Sequence, residues 1–514
     1  MASRKRICVM DIGSNSIRMV IYEITSNKSF IPIEDIKETV RLGEGINEKR
    51  ELKEEKIKIA LRTIQLFKKV CLKNNVDEII AFGTAALRIA VNAEILLKEI
   101  LETTGIEVIV FKGEDEAYFS FEGAINTLDI KDGVVIDLGG SSLEIVHFEN
   151  REVLESISLN FGAVTLLEIA DLKDKLSKKD EEILREFIRE QFRKVQWKDK
   201  IKGLPLIGVG GTVRNIGGVN LYMNNYPLEL LHNYRVSIKG VEEVVDYLKE
   251  KDYKEKQDVQ GLSKDRADVF IGAAIAVEEV LTYFDLEELI ISGYGIREGV
   301  LYERLSECGK VIENPFEDGF KEILEVLDID IKIKEKQCKI FKKICLSLDK
   351  EYKFEGLNEK ITKIVTYLYD IGKSINFVNY PLHSAYMILN LGIKGIEQKD
   401  LVSSALIIAR GNKKYKGLEK YKELFKESEI DELMMLSKIL NMTNIFYDDL
   451  LLEEENFEIE ITEDEIIFFI KEKDEEDLKI IDLFISQKKF VNTFDKKLKF
   501  KMKGVQKKWE LTQW

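Results

Sequence analysis

A repeat constrains this chain more than any other feature. Residues 7–23, ICVMDIGSNSIRMVIYE, lie on residues 133–149, GVVIDLGGSSLEIVHFE, at a constant offset of 126. Asp11 falls on Asp137, Gly13 on Gly139, Ser16 on Ser142, Val20 on Val146 and Glu23 on Glu149. Each copy reads as an apolar strand, an Asp-x-Gly turn with small polar residues, and a second strand. One copy alone would be an ordinary hairpin, because Asp and Gly are common turn formers. Two copies at matched positions in a long chain point to duplicated α/β domains.

The residues around the repeat agree. Leu52–Lys73 carries Ile57, Leu61, Ile64, Phe67 and Val70 at helical spacing. Short apolar runs at Glu78–Phe82, Glu107–Phe111, Val134–Leu138, Leu206–Val209 and Leu289–Ile291 read as buried strands. Such alternation predicts a sheet covered by helices. Of the 32 glycines, 24 precede residue 311. From Asn314-Pro315 onward the pattern is mostly helical, and a residue before proline is biased away from helix, so this pair marks a boundary. Beyond residue 450, Phe457–Ile461 alternates, Glu465–Ile470 is apolar, and Asp474–Phe484 has helical spacing.

A turn of Gly and Ser residues can aim several backbone N–H groups into one concavity that suits a phosphate oxygen. Glycine serves there because the backbone is expected to take positive φ and the ligand approaches closely. Two such turns from paired domains would grip one phosphorylated ligand from both sides. Asp11 and Asp137 end their strands beside that ligand and would repel it without a cation. Mg²⁺ characteristically binds one or two carboxylates plus phosphate oxygens. Glu144, seven residues beyond Asp137, can join the same metal. A third cluster, Gly208-Val-Gly-Gly-Thr212, and a fourth, Ser292–Gly299, each close a strand and open a helix, whose N-terminus favours anions.

Composition sets limits. The 514 residues carry 78 Lys+Arg against 93 Asp+Glu, a net charge of −15. That argues against a general nucleic-acid or membrane-surface binder, which needs many cationic contacts. Five scattered cysteines without a CxxC pair speak against a disulfide framework and for a reducing, cytoplasmic setting. No run approaches 18 apolar residues, so no membrane span is expected. Lys488–Lys508 holds nine lysines and one aspartate, either a solvated face or part of an anion path.

The stretches DIGSNSIR (11–18), FGTAALRIAVN (82–92), GEDEA (113–117), VIDLGGSSLE (135–144), GVGGTVRNI (208–216), LSKDRADVFIGA (262–273) and SGYGIREGVLYE (292–303) closely resemble the exopolyphosphatase / guanosine pentaphosphate phosphohydrolase family. The resemblance spans about 300 residues in matching order. It implies duplicated actin-like (ribonuclease H-like) ATPase domains and Mg²⁺-dependent release of terminal phosphate from inorganic polyphosphate or guanosine pentaphosphate. Carried over by residue, one phosphate loop is Gly13, Ser14, Asn15 and Ser16, and the other Gly139, Gly140, Ser141 and Ser142. Gly210, Gly211 and Thr212 form a further phosphate turn. Asp137 and Glu144, with Asp11, match the metal-associated acids, and Arg88 the phosphate-contacting arginine. Glu116 matches the catalytic base, with Glu114 as the alternative. Ser141 stands where the family has a third glycine, and serine at positive φ would add about 1 kcal/mol of strain.

The implied layout is an actin-like domain over 1–125, a second over 126–310, a helical domain resembling the HD type over 311–445, and a small α/β unit with a lysine-rich tail over 446–514. In the HD-like stretch Tyr369 precedes Asp370 where active HD enzymes have histidine, and ARGNKK (409–414) also lacks one, so a scaffold without metal is expected there. Long family members imply a homodimer. Alternatives are a phosphotransferase of the same fold or a non-catalytic nucleotide or polyphosphate sensor. Retention of Glu114, Glu116, Arg88, Asp137 and Glu144 argues against the sensor.

Overall fold

The computed structural model describes residues 4–26, 29–46, 50–170, 172, 175–306, 311–409, 416–449, 453–471 and 494–502. The chain divides into two compact units, residues 1–322 and 323–514.

The first unit holds two sheets of one plan. In the first sheet, strands β1 (Arg6–Ile12), β2 (Ile17–Ile24), β3 (Phe30–Glu38), β4 (Glu78–Gly83) and β5 (Val108–Val110) run in the order β3-β2-β1-β4-β5. The second contains β6 (Gly133–Leu138), β7 (Leu143–Glu149), β8 (Glu152–Leu159), β9 (Leu206–Val209), β10 (Tyr234–Ser237) and β11 (Glu288–Ile291). Its order β8-β7-β6-β9-β11 repeats the first sheet, with β10 added at the edge. Each first hairpin is antiparallel, and each central strand then pairs in parallel with the next one. This is the duplicated actin-like α/β architecture.

The central strands are apolar on both faces because both faces are covered. Cys8, Met10 and Ile12 of β1 pack with Ile57, Ile64 and Phe67 of helix α1 (Glu54–Lys73). Ile7 and Val9 point the other way, toward Phe82 and Leu301. In β6, Val134, Ile136 and Leu138 join one core and Val135 another. Period-2 alternation therefore feeds two different cores from one strand.

Two helices cross beside the sheets. Helix α2 (Gly113–Ile125) begins with the GEDEA stretch, and further along the chain lies a helix at Ile296–Leu305. Their backbones touch: a Cβ at Gly299 would lie 1.9 Å from the Phe119 carbonyl oxygen, and one at Gly123 would lie 2.0 Å from that of Gly295. We expect Gly299→Ala to lower stability by about 3 kcal/mol, the upper range for overpacking, since backbone must move. Urea unfolding of the variant checks this, and an unchanged midpoint would show that the crossing yields cheaply.

Among its described residues the second unit has helices followed by a sheet. Its helices include Ile331–Tyr352, Glu359–Tyr367, Tyr380–Asn390, Gln398–Ile408 and Glu427–Asn444. Strands β12 (Phe457–Ile461), β13 (Glu465–Ile470) and β14 (Lys497–Met502) form a sheet in that order. Asp370 is met by Lys334 Nζ at 2.7 Å and Lys373 Nζ at 3.3 Å, and Gln337 donates to the Tyr369 hydroxyl at 2.9 Å. Of the lysine-rich tail, Lys496 pairs with Glu351 and Lys499 with Glu465. Lys488, Lys489, Lys503, Lys507, Lys508, the helix expected over Asp474–Phe484 and most of ARGNKK lie outside the described residues. Among the described residues no helix is long and apolar enough to cross a membrane.

Candidate active site

The two copies of the repeat fold into the same turn. Gly13 N–H donates to the Ser16 carbonyl at 3.0 Å, and Gly139 N–H to the Ser142 carbonyl at 3.0 Å. The turns face each other: a Cβ at Gly140 would lie 2.9 Å from Ser14 Cβ. Close approach is what requires glycine here. Gly13, Gly139 and Gly140 are not left-handed, and neither is Ser141, so the strain expected at that serine does not arise. Positive φ appears instead in the third turn. There Gly210, at φ +91°, opens helix α3 (Gly210–Met223), and a Cβ on it would lie 2.9 Å from Asp137 Oδ1.

These turns enclose a cavity of about 640 Å³. Gly13, Ser14, Asn15, Ser16, Gly139, Gly140, Ser142, Gly210 and Gly211 line it. Ser141 is buried close by, and Thr212 is buried in the first turn of α3, but neither is among the lining residues. Five acids reach the cavity: Asp11, Asp35, Glu116, Asp137 and Glu144.

Helix phase separates the clustered acids of GEDEA. Asp115 accepts a hydrogen bond from the Lys112 backbone N–H at 2.8 Å and caps α2. Glu114 is exposed, whereas Glu116 is buried and lines the cavity. Arg88, expected to touch phosphate, stands behind Glu116: it ion-pairs with that carboxylate and donates to the Phe111 carbonyl at 2.9 Å. It is not among the lining residues.

Burial and crowding hold Asp11, Glu116, Asp137 and Glu144 above their ordinary range, whereas at Asp35 burial is outweighed by Arg18, which holds it below. Burial is the main cause of each rise. It pushes Asp11 up to about 6, with Arg297 opposing and Asp137 adding repulsion. Glu116 is pushed up to about 7, although Arg88 pulls it down. Asp137 is raised by burial against a hydrogen bond from Ser120, and Glu144 is raised well above the usual range by burial and by repulsion from Glu116 and Asp137.

Five cations also line the cavity: Arg18, Lys37, Arg214, Arg266 and Arg297. Arg297 Nη1 lies 3.3 Å from Asp11 Oδ2, so Asp11 has a charged partner already. Arg18 pairs with Asp35, and Lys37 with Asp265 at 2.5 Å. Burial, followed by repulsion from Arg297 and Arg18, brings Arg214 down to about 10. The Arg266 guanidinium covers Gly211, where a Cβ would lie 2.4 Å from it, and makes no hydrogen bond or ion pair among the described residues. Crowded cations held against repulsion favour an anionic ligand.

The donor set suits a divalent cation completed by phosphate. Among the described residues no three His, Cys, Asp or Glu side chains gather as a metal-holding group. Mg²⁺ needs only one or two carboxylates when phosphate oxygens and water supply the rest. Asp137 and Glu144 are paired across neighbouring strands, and the burial that raises both, with the repulsion added at Glu144, would be offset by a cation between them, which fits that demand.

Sequence reasoning assigned no role to Arg18, Lys37, Arg266 or Arg297. Arg18 was within reach, because at offset 126 it falls on Glu144. Arg266 and Arg297 lie inside the stretches LSKDRADVFIGA and SGYGIREGVLYE. Lys37 carried no signal, since only the pairing of β3 with β2 brings it to the site.

A duplicated actin-like fold that closes on facing glycine turns, acids and arginines defines a phosphoryl-handling class. The sequence model of the Ppx/GppA phosphatase family matches residues 20–308, more than half of the chain, and the chain belongs to that family. A bifunctional 3-dehydroquinate synthase/phosphatase of Fusobacterium nucleatum is 31% identical over 297 residues, 55% of this chain. The chain spans 44% of that relative's length. Among solved structures, an exopolyphosphatase from Cytophaga hutchinsonii is 26% identical, with 60% of this chain and 99% of that one covered at a TM-score of 0.56. The Aquifex aeolicus member of the Ppx/GppA family is 27% identical, covering 59% and 97% at a TM-score of 0.51.

Proposed function

We propose that the chain is a Mg²⁺-assisted exopolyphosphatase that hydrolyses the terminal phosphoanhydride bond of inorganic polyphosphate. The observation that carries this reading is the pairing of Glu116, held near neutrality, with an anion cavity built from two facing turns. The similarity to the Cytophaga hutchinsonii exopolyphosphatase supports it.

The chemistry follows from the residues. Backbone N–H groups of the two turns hold the terminal phosphoryl group, and Arg214, Arg266 and Arg297 offset charge on it and its neighbours. Glu116 accepts a proton as a water oxygen bonds to the terminal phosphorus. The bond from that phosphorus to the bridging oxygen breaks, and the shortened chain leaves with the bridging oxygen. Asp137 and Glu144 would hold Mg²⁺, which supplies charge neutralisation on the phosphate oxygens. With a pKa about 7, Glu116 is basic enough to take the proton and partly ionised at neutral pH.

Guanosine pentaphosphate is the second reading, favoured by the cavity volume of about 640 Å³, which has room for a nucleoside beside its phosphates. Phosphate release measured side by side from long-chain polyphosphate and guanosine pentaphosphate, with and without Mg²⁺, separates the two. Faster Mg²⁺-dependent release from polyphosphate is expected. Release from the nucleotide alone would replace the first reading by the second, and release from neither would favour a sensor.

A further inference from the structure

The two halves of the site share a backbone and differ in charge along one rung of each sheet. In the first half, β1, β2 and β3 place Asp11, Arg18 and Lys37 side by side. In the second half, β6, β7 and β8 place Asp137, Glu144 and Ser158 at the equivalent positions. Directly opposed residues share one face of a sheet, so each rung presents its side chains together. The first rung balances its acid with two cations. The second has two acids and no cation, with a serine where the first has Lys37.

Hydroxyls orient the acids of this second rung. Ser158 Oγ donates to Glu144 Oε1 at 2.9 Å, and Ser142 also hydrogen-bonds Glu144. Ser120 Oγ donates to Asp137 Oδ2 at 2.7 Å. Ser120 is fully buried and lies one helical turn after Glu116 on α2, so one helix carries both an acid that lines the cavity and the hydroxyl that hydrogen-bonds Asp137. The other Asp137 oxygen abuts Gly210, where no side chain intrudes. The start of α2 rests on Ser158, since a Cβ at Gly113 would lie 2.4 Å from Ser158 Cβ.

We infer that Ser120 and Ser158 are positioning residues that orient Asp137 and Glu144 for a divalent cation completed by substrate phosphate. This rests on the hydrolase reading above. A neutral hydroxyl fixes a carboxylate without neutralising it, whereas a lysine at residue 158 would take the cation's place. Partners of this kind typically change metal affinity by about 10–100-fold when removed.

The test uses the full chain and two readouts. Thermal stabilisation is titrated with Mg²⁺ at fixed inorganic phosphate, and polyphosphate hydrolysis is titrated with Mg²⁺ in parallel. For Ser120→Ala and Ser158→Ala, the Mg²⁺ concentration at half effect should rise about 10-fold or more in both titrations. Turnover at saturating Mg²⁺ should stay within about 3-fold, and Ser120→Thr and Ser158→Thr should restore Mg²⁺ sensitivity where the methyl group is accommodated. If the wild type responds to Mg²⁺ and neither alanine variant shifts the half-effect concentration, the inference is overturned alone. A wild type that ignores Mg²⁺ in both titrations overturns the hydrolase reading and the inference together. Should Ser120→Ala fail to fold, the half-buried Ser158 decides the matter by the same criteria.

Discussion

Replacing Glu116 with glutamine is expected to lower kcat by about 10³-fold, within the range for losing a general base, and to leave substrate binding in place. Glutamine keeps the size of the side chain and an oxygen to accept the hydrogen bond from Arg88, but it cannot take a proton from water. The substitution also removes a buried charge from beside Asp137 and Asp11, so the cavity becomes less repulsive to an anion. Unfolding of the variant is therefore not expected. Steady-state kinetics together with equilibrium binding of a polyphosphate chain checks the result. Activity within about threefold of wild type would remove Glu116 from the mechanism.

Arg88→Met should act through Glu116 and show itself in the pH profile. Burial raises the Glu116 pKa, and the Arg88 guanidinium lowers it, leaving about 7 in the intact site. Removing the guanidinium leaves burial unopposed, so the pKa moves up, as expected for loss of an adjacent opposite charge. The base is active when deprotonated. The acidic limb of kcat/KM, near pH 7 in the wild type, should therefore move to higher pH, with activity at pH 7 falling about 10-fold or more and recovering as pH rises. An unshifted limb with a raised KM would instead make Arg88 a direct phosphate contact.

The parts of this molecule legible from sequence are those set by local pattern. The offset of 126 located both hairpins, because a turn closed by its own glycine and serine is fixed within four residues. The run Leu206–Val209 matched its strand residue for residue, since a short apolar segment bounded by turn formers has little freedom. What sequence left open depends on residues brought together from afar. Glu114 and Glu116 differ only in helix phase relative to a cavity built largely by other elements. Arg88 meets Glu116 and the Phe111 carbonyl, 28 and 23 residues away, a pairing that no local pattern reveals. Lys37 and Ser158 occupy equivalent rungs, yet neither lies within the 17-residue repeat that revealed the duplication. The net charge of −15 also concealed the site, where five cations gather around one cavity.

The central claim is that this cavity directs water onto a terminal phosphoryl group. Hydrolysis of long-chain polyphosphate in ¹⁸O-labelled water, followed by mass analysis of the released orthophosphate, tests it most directly. One labelled oxygen in each released phosphate, dependent on Mg²⁺ and lost in Glu116→Gln, is the predicted result. Orthophosphate released without label, or no orthophosphate released under any of these conditions, would contradict it.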